Sequence, residues 1–203
     1  MTQGTNDASL AISIIEKIAS SPMYGAFASM YDSFKIDGVT VNVSCRNLNA
    51  NYITAASPLT VVTAWDRTGL EAQYDNVNNQ YIVHDPTYTE VCQYGSAFTR
   101  QAYYGGSYKT TRSIYPSTME EKSQYITTAK LSGNLLPGMQ NAIGFDDDPR
   151  IVRETGCYKF KPILLMGISR SDNVPETSNM MNIDIDYEFT LTFRGLRKIP
   201  VQQ

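Results

Sequence analysis

Ile183-Asp184-Ile185-Asp186-Tyr187-Glu188-Phe189-Thr190-Leu191-Thr192-Phe193-Arg194 alternates apolar and polar side chains without a break. A period of two belongs to the β-strand, whose successive side chains point to opposite faces. The odd-numbered residues therefore form one apolar side and the even-numbered ones a polar side. A strand this long with one wholly apolar face lies on a core, and its other face meets solvent, a groove or another subunit. The pattern implies an antiparallel sheet.

Working outward, a second long strand runs through Phe34, Ile36, Val39, Val41 and Val43, but the apolar parity switches between Ile36 and Val39. One inserted residue explains the switch. Asp37-Gly38 is the natural place for a β-bulge, with Gly38 expected at positive φ. Residues 59–66 read as a third strand, closed by the turn signal Arg67-Thr68-Gly69. Residues 158–168 are apolar on both faces around Ile163, Leu164, Leu165 and Met166, which predicts a strand covered on both sides. Shorter strands are expected at 81–83, 88–94 and 108–115, so that about eight strands fit the chain.

Helical signals are sparser. Asp7 is placed to cap a stretch in which Leu10, Ile14, Ile15 and Ile18 share one face, predicting an amphipathic helix of about three turns. Ser117-Thr118-Met119-Glu120 has capping-box spacing. Long punctuated loops at 47–51, 75–79 and 146–149 separate few, long, amphipathic strands. The expected fold is all-β, an eight-stranded antiparallel jelly-roll sandwich with long loops and a short N-terminal helix. Residues 1–30 are the helical arm, 31–199 the sandwich domain and 200–203 a tail.

Composition narrows the function classes. The chain has 203 residues, 20 acidic and 17 basic side chains, a formal charge of −3, and 11% aromatics with 14 tyrosines. That apolar content is too high for intrinsic disorder. No apolar run approaches the ~18 residues of a membrane span, and the N-terminus lacks signal-peptide order, which predicts a soluble, non-secreted protein. Cys45, Cys92 and Cys157 have no metal or disulfide-framework spacing. The single histidine, His84, reads as a strand-end residue before a turn. No cofactor motif and no metal site are expected.

Three groups carry candidate chemistry. Asp184, Asp186 and Glu188 stand in line on the polar face of the last strand, about 6.8 Å apart per pair. Their order is similar to the Glu-x-Asp-x-Glu signature of jelly-roll retaining β-glucanases, with Asp184 one methylene short at the first position. A carbohydrate-active or carbohydrate-binding protein is the alternative reading that this face supports. Asp146, Asp147 and Asp148 offer oxygen ligands for an ion without a defined ligand spacing. Basic residues interleave with aromatics in the middle of the chain and crowd its end. Lys109, Arg112, Arg194, Arg197 and Lys198 are candidate nucleic-acid contacts. Tyr103, Tyr104, Tyr108 and Tyr115 are candidate subunit-interface residues, since tyrosine is enriched where proteins meet.

Four segments carry a resemblance. Tyr31-Asp32-Ser33-Phe34-Lys35-Ile36-Asp37-Gly38-Val39-Thr40-Val41-Asn42-Val43 resembles the first shell strand of capsid proteins from small circular single-stranded DNA viruses, the circovirus-like group. Val62-Thr63-Ala64-Trp65-Asp66 is similar to the end of that family's second strand. Tyr108-Lys109-Thr110-Thr111-Arg112-Ser113-Ile114-Tyr115-Pro116 is similar to its basic strand closed by proline, and Asp186 to Leu196 to its terminal strand. The segments keep the family order from residue 31 to about 197. The resemblance implies a non-enzymatic jelly-roll subunit of the virion. Sixty copies would close an icosahedral T=1 shell around a single-stranded DNA genome. Members usually begin with an arginine-rich arm, whereas residues 1–30 here contain one basic residue, Lys17.

Overall fold

The computed structural model describes residues 8–47, 59–67, 72–75, 80–83, 85–102, 106–116, 125–128, 162–170 and 181–197. In chain order these form β1 (Ala8–Ser13), α1 (Ile14–Ala19), α2 (Pro22–Met30), β2 (Tyr31–Asn47), β3 (Leu59–Asp66), β4 (Ala72–Asp75) and β5 (Gln80–Val83). There follow α3 (Tyr88–Gln93), β6 (Phe98–Ala102), β7 (Ser107–Ile114), β8 (Ile126–Thr127), β9 (Ile163–Arg170) and β10 (Met181–Leu196). One sheet has the order β1-β9-β3-β6, the second has β10-β2-β7 with β8 also on β2, and β4-β5 form a separate ribbon. Among the described residues the two main sheets thus hold the eight strands expected of the sandwich. All their pairings are antiparallel.

The two ends of the chain are wound together. The first long strand, β2, pairs with the last, β10, and the next one inward, β3, pairs with β9 in the opposite sheet. This nesting is the winding of a jelly roll. Between the sheets, Phe34, Ile36, Val39, Val41, Val43, Val61, Leu164 and Met166 are buried in one cluster. The odd-numbered apolar residues of β10, from Ile183 to Phe193, pack against it while the even-numbered ones are exposed, as the alternation predicts. The outer side of β3 and β9 is covered by α3, with Val62, Ala64, Val91, Ile163 and Leu165 buried there. That double cover explains why residues 163–166 are apolar on both faces.

The bulge is where parity places it. Thr190 faces Gly38 and Leu191 faces Ile36, which leaves Asp37 as the extra residue. Its carboxylate accepts from Lys35 Nζ at 2.9 Å and from the Thr192 hydroxyl. The expected positive φ at Gly38 is not found: the described glycine in that region is Gly195, at φ 76°. Gly38 is small for another reason, because a Cβ there would lie 2.7 Å from two ring atoms of Tyr115.

Two local expectations are corrected. Residues 88–94, read as a strand, begin with α3. Thr87 Oγ1 accepts from Glu90 N at 3.4 Å, and Glu90 Oε2 accepts from Thr87 N at 2.7 Å, a complete capping box. Two paired donors at a helix start outweigh the strand preference of tyrosine and valine. The N-terminal helix is shorter than expected. Residues 8–13 instead pair along β9, leaving Leu10 50% exposed. Ser13 caps α1, accepting from Glu16 N at 3.4 Å. Pairing with the open edge of β9 overrides the local helical spacing. The capping-box spacing at 117–120 and His84 lie outside the described residues.

Candidate self-association surface

Helix α2 starts at Ser21-Pro22, with proline at the first helical position, where a missing N–H costs nothing. Its buried side is small: Tyr24 and Ala28 turn inward. Tyr24 meets Phe34 edge-on at 5.1 Å and donates to the Thr128 carbonyl at 3.3 Å. Burial pushes its phenol up to about 12, with Arg197 partly opposing. A neighbouring face of α2 shows Met23, Phe27 and Met30, which are 72%, 41% and 46% exposed. Their spacing of four and three residues puts them on one helical face.

That face continues onto the end of β10. Phe27 stacks on Phe193 at 5.2 Å, and the Met30 carbonyl accepts from Arg197 N at 2.7 Å. This brings in Leu196, which is 68% exposed. Met23, Phe27 and Met30 thus share a helical face, and exposed Leu196 lies at the adjoining end of β10. A grouped apolar patch, unlike scattered exposed ones, marks a contact surface. None of the four was singled out in the sequence. The signal present there was the i, i+4, i+7 spacing behind Ser21-Pro22.

The polar face of the β10-β2-β7 sheet is open. Cross-strand neighbours Asp184, Ser44 and Lys109 form one row, Asp186, Asn42 and Thr111 the next, and Glu188, Thr40 and Ser113 a third. Arg194 lies further along, its guanidinium 5.7 Å from the centre of the Tyr125 ring. Cations at Lys35, Arg46, Lys109 and Arg194 are therefore matched on this face by Asp37, Asp184, Asp186 and Glu188. The three acids of β10 stand on a flat, exposed strand face rather than across a cleft.

The remaining predicted residues are dispersed. Arg112 points the other way from Lys109, into the space under β6, where Nη2 donates to the Ser96 carbonyl and burial lowers its pKa. Arg197 is held at the α2 end of the sandwich by Asp32, with Nε to Oδ1 at 2.9 Å. Tyr108 packs against the core opposite Cys45. Burial first, and then the neighbouring thiol, push its phenol far up, and burial likewise raises Cys45. Although the two side chains are adjacent, the Tyr108 hydroxyl is buried without hydrogen-bond geometry to any described group. Tyr115 is exposed and lies over Gly38. Tyr103, Tyr104, Lys198 and Asp146 to Asp148 lie outside the described residues. Among the described residues no cluster of histidine, cysteine and acidic groups is arranged to hold a metal ion, and no helix is long and apolar enough to cross a membrane.

No protein-family model matches the chain, and no curated protein matches it significantly. Several solved virus structures are similar to it at low identity. Desmodium yellow mottle tymovirus is similar at 12% identity and a TM-score of 0.46, over 98% of this chain and 85% of that one. Turnip yellow mosaic virus is similar at 13% identity and a TM-score of 0.40, over 98% and 90%. Tobacco necrosis virus is similar at 8% identity and a TM-score of 0.48, over 95% and 75%.

Proposed function

We propose that this chain is a capsid subunit of a virion, with self-association and not catalysis as its function. Sixty copies would close an icosahedral shell around single-stranded DNA. The observation that carries this reading is the exposed apolar face of α2, Met23, Phe27 and Met30, with exposed Leu196 at the adjoining end of β10. A second copy is the occupant that fits it, because symmetric assembly reuses one surface on every subunit. The ordered strand motifs from residue 31 to about 197 supply the shell and genome type. Nucleic-acid contact by Lys109, Arg194, Arg197 and Lys198 belongs to the same proposal. With a net charge of −3 and a charge-matched sheet face, such contact is weak, non-specific and directed at phosphates.

Electron microscopy of the purified chain tests the reading. Particles of one diameter are expected, with subunit contacts above the ~1,000 Å² of a biological interface. Phe27→Asp should abolish particles while leaving the circular-dichroism spectrum of the subunit unchanged. A strictly monomeric parent protein in light scattering, across wide ranges of salt and concentration, would overturn the proposal.

A further inference from the structure

A cleft of about 360 Å³ opens where the end of β3 meets β7, lined by Trp65, Arg67, Ser96, Thr111, Arg112 and Ser113 among others. Two residues of this lining each carry a buried polar atom with no hydrogen-bond partner among the described residues: Trp65 at Nε1 and Arg112 at Nε. Trp65 is only 5% exposed, and its indole N–H has no hydrogen-bond partner among the described residues. Both orphans are donors, and neither side chain can accept. Arg67 adds an exposed guanidinium at the rim. The charged side chains among its described residues are the guanidiniums of Arg67 and Arg112, which suit an anion.

The donors are held in place. Ser96 Oγ accepts from Trp65 N at 2.8 Å and donates to Trp65 O at 3.1 Å, while its carbonyl takes Arg112 Nη2. The Phe98 ring lies 5.6 Å from the Arg112 guanidinium carbon. A fixed guanidinium whose Nε has no partner among the described residues, beside an indole donor and a second guanidinium, is complementary to an anionic group with several oxygens. We propose that the Trp65–Arg67–Arg112 cleft binds a phosphoryl group, either free phosphate or a phosphodiester of a nucleic-acid strand. The site is independent of the capsid reading, since it rests on the cleft alone.

Trp65 is the single tryptophan of the chain, so its emission reports on this cleft and nowhere else. The full-length protein is titrated with sodium phosphate at constant ionic strength, balanced by chloride, and separately with thymidylyl-thymidine. A saturable change in Trp65 emission with either probe is expected. Response to phosphate alone assigns the free anion, and response to the dinucleotide assigns the phosphodiester. Arg67→Gln should weaken binding about tenfold, as the loss of one charge-assisted contact does, and Arg112→Gln at least as much. If Arg112→Gln does not fold, Arg67→Gln decides, because that side chain is exposed. The inference is overturned if neither probe gives a saturable change, or if Arg67→Gln binds as tightly as the parent.

Discussion

Asp32 accepts from Arg197 at 2.9 Å across the two ends of the sandwich domain, joining the second residue of β2 to the residue just after β10. Arg197 Nη2 also donates to Thr128 Oγ1 at 3.0 Å, and the Thr128 hydroxyl is shared between the carbonyls of Tyr31 and Asp32 at 2.7 and 3.1 Å. The pair alone is worth little, because Asp32 and Arg197 side chains are 63% and 39% exposed and water screens them. Its geometric role is to hold the α2 end of β10 beside β2, where the apolar patch is displayed.

Gly195 makes that closure possible. Its φ of 76° is strained for any residue with a Cβ, and a Cβ there would also lie 3.1 Å from Asp32 Oδ2. Gly195→Ala should cost about 1–2 kcal/mol from the backbone strain. Asp32→Asn should cost less than ~1 kcal/mol. Urea midpoints of the two variants test the order, and an unshifted midpoint for Gly195→Ala would show that the conformation is not needed.

The capping box of α3 gives a second stability prediction. Thr87 and Glu90 each satisfy the other's backbone donor, and Val91 behind them is fully buried against β3 and β9. Thr87→Ala should destabilise the subunit by about 0.5–2 kcal/mol. Thr87→Ser should retain most of the stability, since it keeps the acceptor. Equal melting temperatures for the parent and the alanine variant would count against a stabilising cap.

How legible each element is in the sequence follows from where its stabilisation comes from. β2 and β10 carry their own pattern, because one face of each is buried over its whole length, and even the inserted residue at Asp37 shows as a parity switch. β1 is illegible because its residues have helical spacing, and only the free edge of β9, distant in sequence, makes it a strand. α3 was decipherable from Thr87-x-x-Glu90, a signal masked by strand-prone Tyr88, Val91 and Tyr94. The exposed apolar face of α2 was hidden for a different reason: the spacing of Met23, Phe27 and Met30 does not tell which side of the helix is buried, and the structure gives that side to Tyr24 and Ala28. The Trp65 cleft depends on two orphaned donors brought together from β3 and β7, and no pattern within either strand contains it.

Alkaline pH should destabilise the fold through its buried phenols and thiol. Burial raises Cys45 above its ordinary 9.0, Tyr187 above its ordinary 10.0 and Tyr24 from 10.0 to about 12. In each case the folded state holds its proton more tightly than the unfolded chain, so unfolding releases protons above the ordinary pKa. The stabilisation is complete below about pH 9 and is lost as pH rises toward 12. Denaturant midpoints should be flat up to pH 9 and fall beyond it. Tyr24→Phe should be less stable at neutral pH, through loss of the bond to Thr128, but should show a shallower alkaline fall.

The charge-matched face of the β10-β2-β7 sheet separates two roles for its cations. Lys109 and Arg194 are exposed on that face, whereas Asp184 stands one strand beyond Ser44 in the same row as Lys109, about 10 Å across the sheet. If the face lines the interior of a shell, the two cations meet phosphates, and binding should fall by about 0.7 in log K per neutralised phosphate for each decade of salt on single strands. If instead it meets a neighbouring subunit, they meet acids such as Asp186 and Glu188, and their loss weakens assembly. Particles of a Lys109→Gln, Arg194→Gln double variant should therefore be compared with the parent for yield and for the ratio of absorbance at 260 and 280 nm. Undiminished yield with a lower ratio places the face inside, against nucleic acid. A lost yield places it between subunits, and an unchanged yield and ratio would remove both roles from these two residues.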